Sequence, residues 1–311
     1  MHKELLIILL ISSKLVIIHN LLIDCNKYST TSRLQYYKIK SCHKSSASVI
    51  FWKRVTNLQE CKEVARERGG MAFNFSPAEA QNLSKFYMPN CHVLACPQIG
   101  NDSTLTMDLA YDYYSAYGNW NVTQNATCIK AIGLFTLNAD NQNYSQNILT
   151  CQSNSGDLAD VTSEYRSTML AQMLNTSITD WHKLAYVGLN DLFIEGAFTN
   201  SFGKPLVCSN YRAWAPGHPR SKHESEDCVT LDSEKLWRVV RCNKVKLRGV
   251  CEVYPHKPPR NIEGVPQNVS CGGISRRQYA KIKRCLEEKM IFRIYQNATR
   301  IDKCGLVNFI Y

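Results

Sequence analysis

The sequence predicts an α+β fold clamped by disulfides, and three observations point there. Helical periodicity is confined to short segments, notably 144–154 and the stretch that follows Thr162-Ser163, while the apolar runs after them are strand-length: Tyr186–Leu189, Val229–Leu231 and Gly249–Val253. One long loop containing glycine and proline separates the first of those runs from the second, and a long irregular loop in a compact domain usually carries function. Fourteen cysteines occur in 311 residues without a paired C-x-x-C pattern, which places the chain in an oxidising compartment rather than around zinc. With 44% hydrophobic and 20% charged residues, global disorder is excluded.

The N-terminus agrees with export. His2 and Lys3 precede LLIILLI at Leu5–Ile11, which has the length of a signal-peptide core. The alternative is an uncleaved anchor over Leu5–Ile23, against which Lys14 would cost about 2.5–3.5 kcal/mol at the bilayer centre. Residues 1–24 are therefore read as a signal peptide, with a type II membrane protein as the alternative. Asn82, Asn101, Asn121, Asn125, Asn143, Asn175, Asn268 and Asn297 each open an Asn-x-Ser/Thr triplet and are candidate glycosylation sites. Asn74 opens a ninth, discounted because Pro77 follows it.

A cysteine-rich module is expected over 41–132. Thr56 or Asn57 caps a helix on which Leu58, Cys61, Val64 and Ala65 recur at helical spacing, and Gly69-Gly70 ends it. Met71–Phe75 alternates as a strand would. A cysteine-bearing helix followed by AFNF resembles an apple/PAN-type module over about 41–136, without that family's cysteines beside the glycine pair.

The second region, 133–254, opens with a strand at Gly133–Leu137, followed by a helix at 144–154 carrying Cys151. Gly156–Val161 returns to extended structure, and Thr162 or Ser163 caps another helix with Tyr165, Met169, Leu170, Met173 and Leu174 on its apolar face. Pro258-Pro259 marks a linker into a tail, 255–311, with one amphipathic helix expected at 275–290. The formal charge is +11, and the tail's eleven Lys/Arg against four Asp/Glu supply +7 of it. The basicity belongs to this appendage, as a solvated face or as a surface for sulfated glycans or anionic membrane.

Cys151, AYVGL at 185–189, Glu195-Gly196, Trp214, Glu226-Asp227-Cys228, Trp237, Cys242 and Cys251 together resemble a C-type lectin-like domain. The expected architecture is thus a disulfide-clamped C-type lectin-like domain with a long loop region, preceded by a small cysteine-rich α+β module and followed by a basic cysteine-containing tail. The resemblance implies bridges Cys151–Cys251 and Cys228–Cys242. In the chain-entropy model a loop of about 100 residues, as the first would close, contributes roughly 4–5 kcal/mol. Cys208 has no evident partner and is expected to pair with a tail cysteine or between chains. Cys25, Cys42, Cys61, Cys91, Cys96, Cys128, Cys271, Cys285 and Cys304 stay unassigned, save that Cys91 is expected to bond Cys61 or Cys96.

Sugar-binding members of that family hold calcium with a Glu-Pro-Asn loop, an acid before Asp-Cys, and an Asn-Asp pair after the Trp. The matching positions here are His218-Pro219-Arg220, Glu226 followed by Asp227, and Arg238-Val239, so four of five oxygen donors are replaced. Calcium takes about six to eight oxygens and arginine offers none. No calcium at this loop, and no other cofactor or metal, is the expectation. Arg220 and Arg238 are expected to approach Glu226 and Asp227 in place of the ion. These pairs would hold the loop, with Pro219 in the family's cis form; alternatively His218, Arg220, Lys222 and His223 form a cationic rim for sulfated or acidic ligands.

The implied function is a secreted recognition glycoprotein that binds a protein or an anionic glycan without calcium. A calcium-dependent lectin and a disulfide-linked matrix component are the alternatives. No nucleic-acid partner is expected, and membrane association only through an uncleaved N-terminal segment. No nucleophile elbow, zinc helix or phosphate loop is present, so an enzyme is not expected; Cys91-His92 are sequence neighbours, and neighbours rarely point at one another.

Overall fold

The computed structural model describes residues 25–28, 34–77, 89–100, 105–108, 110–118, 123, 125–179, 183–219 and 225–258. The apolar N-terminal segment, the tail beyond 258 with its expected helix and cysteines, and the sequons at Asn82, Asn101, Asn121, Asn268 and Asn297 lie outside them. No helix among the described residues is long and apolar enough to cross a membrane.

In chain order the elements are β1 (Tyr37–Lys40), β2 (His43–Ser45), β3 (Val49–Lys53), α1 (Leu58–Glu67), β4 (Ala72–Phe75), β5 (Cys91–Leu94), β6 (Leu105–Met107), β7 (Asp112–Ser115), β8 (Thr127–Ile129) and β9 (Gly133–Leu137). They continue with α2 (Tyr144–Ser153), β10 (Gly156–Leu158), α3 (Glu164–Ser177), β11 (Ala185–Asn190), β12 (Cys228–Leu231), β13 (Trp237–Val240) and β14 (Val250–Val253). The chain divides into two compact units. Of the described residues, one takes in those within 34–138, 148–157 and 250–258, the other those within 25–28, 139–147 and 158–249.

In the first of these units, five strands pair in the order β1-β7-β4-β5-β3, and a second sheet runs β10-β14-β9-β8. Asn57 is the residue that caps α1. Its Oδ1 accepts the Glu60 N–H at 2.9 Å while the Glu60 carboxylate reaches back to accept the N–H of Thr56, one residue before the cap, at 2.8 Å, a variant of the capping box. Cys61, Val64 and Ala65 turn inward, and Cys61 is bonded to Cys91 on β5. The chain leaves α1 through Gly69 at φ +65°, where glycine carries no Cβ penalty. Strand β4 was expected to alternate, but all four of its residues are buried. It is the central strand: Phe73 and Phe75 join Cys61 and Val64 in one core, while Ala72 joins Ile39, Leu94 and Tyr113 in another. Asn74, between them, is buried, with Oδ1 accepting from the Ser45 N–H at 2.9 Å and Nδ2 donating to the Ser45 carbonyl at 3.0 Å.

Two features of this unit lie across the sequence-derived boundaries at 41 and 132. Strand β1 begins at Tyr37 and pairs with β7. Leu134 on β9 and Val253 on β14 bury in the same core as Phe73 and Val93. The reason is the β8–β9 hairpin, whose second strand also pairs with β14.

The second unit holds α3 and the sheet β11-β12-β13. Ser163 caps α3, accepting the Arg166 N–H at 3.3 Å. Leu170, Ala171, Met173 and Leu174 are buried on α3, but Tyr165 is exposed. Nine residues before Leu174, Tyr165 falls on the opposite side of a helix with about 3.6 residues per turn. Strand β11 is buried up to Asn190 and approaches the backbone at Ala159, whose carbonyl accepts the Gly188 N–H at 2.8 Å. Strand β13 was not anticipated as a strand; Trp237 had been read only as a family marker.

The disulfides within the described residues are Cys25–Cys208, Cys61–Cys91, Cys96–Cys128, Cys151–Cys251 and Cys228–Cys242. Cys42 is disulfide-bonded as well. One expectation changes. Cys208 pairs neither with a tail cysteine nor between chains but with Cys25, which takes away the residue that suggested a cross-linked matrix component. Cys91 bonds Cys61, one of its two expected partners, which leaves no free thiol beside His92.

Candidate functional site

The site is built on the end of β11 and the loops around it. The β11–β12 pairing brings Asn190 opposite Cys228, and the Asp191 N–H donates to the Asp227 carbonyl at 3.0 Å, so the ladder sets the two acids side by side. Asn190 and Thr199 exchange backbone bonds of 3.0 and 2.7 Å, which closes residues 191–198 into a loop. Within it Gly196, at φ +75°, donates its N–H to Asp191 Oδ2 at 2.8 Å. The fold of this loop pushes its apolar residues outward: Phe193 is 92% exposed, and Leu192 and Ile194 are exposed beside it.

The long loop is pinned against β13. The Trp237 N–H donates to Ala213, and Ala215 donates to Trp237, at 2.7 and 2.9 Å. Trp237 is fully buried, with Trp214 and Tyr211 edge-on at centroid distances of 5.4 Å and its Nε1–H on Ser167 Oγ at 3.2 Å. The loop then turns through Gly217 into the His218–Pro219 peptide, which is cis. His218 Nδ1 accepts the Val239 N–H at 3.1 Å, locking the ring against the strand.

Between these loops lies a cleft of about 730 Å³. Its mouth is apolar, with Phe193, Ile194 and Val207, and its acids are Asp191, Glu195 and Glu226. Asp191 is only 4% exposed, and neither its Oδ1 nor Glu226 Oε2 has a hydrogen-bond partner though both atoms are buried. Burial pushes the Asp191 carboxyl up to about 6, against the Gly196 N–H; Glu195 and Asp227 add to the rise. A raised carboxyl destabilises the fold at neutral pH, because the folded state binds more protons than the unfolded between the two pKa values. Asp191→Asn is therefore expected to stabilise by about 1–2 kcal/mol at pH 7, with the gain shrinking as pH falls below 6 and gone near pH 4. Thermal melts of the two proteins across that range check the sign.

The residues predicted from sequence are only partly brought together. Pro219 and Glu226 line the cleft, and Asp227 stands behind it on the β11 ladder. Arg238 does not approach Glu226 or Asp227. Its Nε and Nη2 both sit 3.1 Å from Asp232 Oδ2. Strand alternation explains this correction: on β13, Trp237 and Val239 point inward and Val239 lines the cleft, which leaves Arg238 on the other face. Arg220, Lys222 and His223 lie outside the described residues. Of the described sequons, Asn125 and Asn175 are exposed, and Asn143 caps α2 by accepting the Gln146 N–H at 2.9 Å. Sequence reasoning missed Asp191 as a site residue and used Glu195 only as a scaffold marker. The signal lay in the Asn190-Asp191 pair directly after the buried β11.

The family model of the Lectin C-type domain matches residues 140–253. Residues 140–253 form a C-type lectin-like domain. Among similar proteins, collectin-10 of Gallus gallus is 31% identical over 113 residues, 36% of this chain and 39% of the relative. The low affinity immunoglobulin epsilon Fc receptor of Mus musculus is 32% identical over 102 residues, 33% of this chain and 28% of the relative. The chain thus spans less than two fifths of the length of either. A crystal structure of human lithostathine aligns over 42% of this chain and 89% of its own, at 26% identity and a TM-score of 0.37.

In this C-type lectin-like domain the positions of the family's sugar-site calcium do not fit the ion. Val239 has no donor, His218 Nδ1 is occupied by the Val239 N–H, and Arg238 is turned to Asp232. Among the described residues, no three His, Cys, Asp or Glu side chains converge as a metal site.

Proposed function

We propose that this chain is a secreted recognition glycoprotein whose C-type lectin-like domain binds a protein ligand at the cleft beside β11, without calcium and without catalysis. The observation that carries the reading is the character of that cleft. An apolar mouth with Phe193 almost fully exposed suits a protein surface, and acids inside it disfavour an anionic glycan. The loss of calcium donors at His218 and Val239 argues against the neutral-sugar mode. Among the relatives, one bears the name of an immunoglobulin receptor, which agrees with a protein ligand. Export is supported by fourteen cysteines and eight usable sequons, with glycans proposed at Asn125, Asn143 and Asn175 among the described positions. The cationic rim of His218, Arg220, Lys222 and His223 is the weaker reading, because His218 Nδ1 is taken by the Val239 N–H and the adjoining cleft is lined by carboxylates.

The test is binding by the full chain to extracellular proteins and to an array of neutral and sulfated glycans, each with and without a calcium chelator. Protein binding is expected to survive the chelator. Phe193→Ser is expected to weaken it at least tenfold without moving the melting temperature, since Phe193 packs on little. Mannose or galactose binding that vanishes with chelator would overturn the proposal.

A further inference from the structure

The polar atoms inside the cleft lack a partner of a particular kind. Asp191 Oδ1 and Glu226 Oε2 are both buried acceptors with nothing donating to them, and both residues line the same cavity. An unmet buried acceptor costs about 1–3 kcal/mol, more when it is charged, and the two together mark a place where a donor is missing. The lining holds three carboxylates, Asp191, Glu195 and Glu226, and one guanidinium, Arg212. Arg212 does not supply the donor. Its Nη1 donates to the Ser209 and Tyr211 carbonyls, both at 2.7 Å, and its Nη2 to Leu206 at 2.8 Å.

We propose that the acidic floor of this cleft receives the cationic side chain, lysine or arginine, of a protein partner, with its aliphatic stem against Phe193, Ile194 and Val207. This rests on the reading of the cleft as a protein-binding face and names what enters it. Three considerations select the occupant. The floor needs N–H donors carrying positive charge, which a guanidinium or ammonium brings and a sulfate or carboxylate does not. No three acidic, histidine or cysteine side chains among the described residues converge on a metal position, whereas a guanidinium fork spans carboxylates that are separated. An apolar mouth over a charged floor also matches the two halves of a long basic side chain.

The experiment follows the amide resonances of the isotope-labelled full chain during titration with acetyl-Leu-Arg-Leu-amide and with its uncharged isostere, acetyl-Leu-citrulline-Leu-amide. Leaving the protein unchanged, this pair isolates the charge. The arginine peptide is expected to shift residues of the cleft and to bind at least tenfold more tightly than the citrulline peptide. Glu226→Gln is expected to weaken the arginine peptide about fivefold and to leave the citrulline peptide unaffected. Equal binding of the two peptides, or binding of neither, overturns the assignment. So does displacement of the arginine peptide by 1 mM calcium, which would make the floor a metal site. If the peptides fail while Phe193→Ser still weakens a chelator-resistant protein complex, the protein-binding reading stands and only the cation is lost. If no chelator-resistant protein complex forms, it is that reading which fails.

Discussion

Trp237→Ala is expected to cost about 3–5 kcal/mol and to lower the melting temperature by roughly 10 °C. The side chain is fully buried at the centre of an aromatic cluster, edge-on to both Trp214 and Tyr211. Removing it loses the burial of the largest residue in the core and leaves a cavity with two aromatic walls. It also takes from Ser167 Oγ the N–H it accepts, while that hydroxyl keeps its own bond to the Val161 carbonyl at 2.8 Å. Trp237→Phe, which keeps a ring but not the Nε1–H, is expected to lose less than half as much. Because the long loop is bonded to β13 on either side of Trp237, the alanine variant is also expected to loosen the cleft. Thermal and denaturant unfolding measure the first effect, and hydrogen exchange across 211–219 measures the second. A loss below about 1 kcal/mol would show that the cluster contributes little.

Gly188→Ala is expected to be comparably damaging, by about 3 kcal/mol or more, or to prevent accumulation of folded protein. A Cβ there would lie 2.0 Å from Ser201 Oγ and 2.3 Å from the Leu158 carbonyl oxygen. The first contact is with a small side chain, the second with backbone, and only the first can be relieved by mutation. The double variant Gly188→Ala/Ser201→Gly is therefore expected to recover only part of the loss. Full recovery would show that the Leu158 backbone can move, and a neutral single variant would show that β11 does not approach it closely. Unfolding free energies of the three proteins decide between these outcomes.

Much of the framework was legible in the chain. Helical spacing and the Thr56–Glu60 segment placed α1, and the C-type lectin-like resemblance rests on Cys151, AYVGL at 185–189, Trp214, Glu226-Asp227-Cys228, Trp237, Cys242 and Cys251, all within the 140–253 now matched. The misses share a cause. Tyr165 was put on the apolar face by four-residue spacing, which locates neighbours on a helix but not the side on which the core lies. Strand β4 was read as alternating because one strand does not reveal that sheets and helices cover both its faces. Arg238 is aimed at Glu226 and Asp227 by the family pattern, in which its position holds the calcium ion that its charge would replace. The parity of β13 sends it to Asp232 instead.

By itself, then, the sequence determined the α+β class, the lectin-like scaffold, and which residues, His218-Pro219-Arg220 and Arg238-Val239, stand at the positions the resemblance assigns to the calcium loop. These follow from residue identity and local spacing, which need no coordinates. Only the tertiary structure decided that Cys208 meets Cys25 across 183 residues, and that Asp191 and Glu226 share one cleft with an oxygen each left unpaired. Both are matters of which distant segments come together and how much water they exclude. Desolvation makes an ordinary aspartate an acceptor in need of a partner, and desolvation is a property of the packed molecule, not of any stretch of its chain.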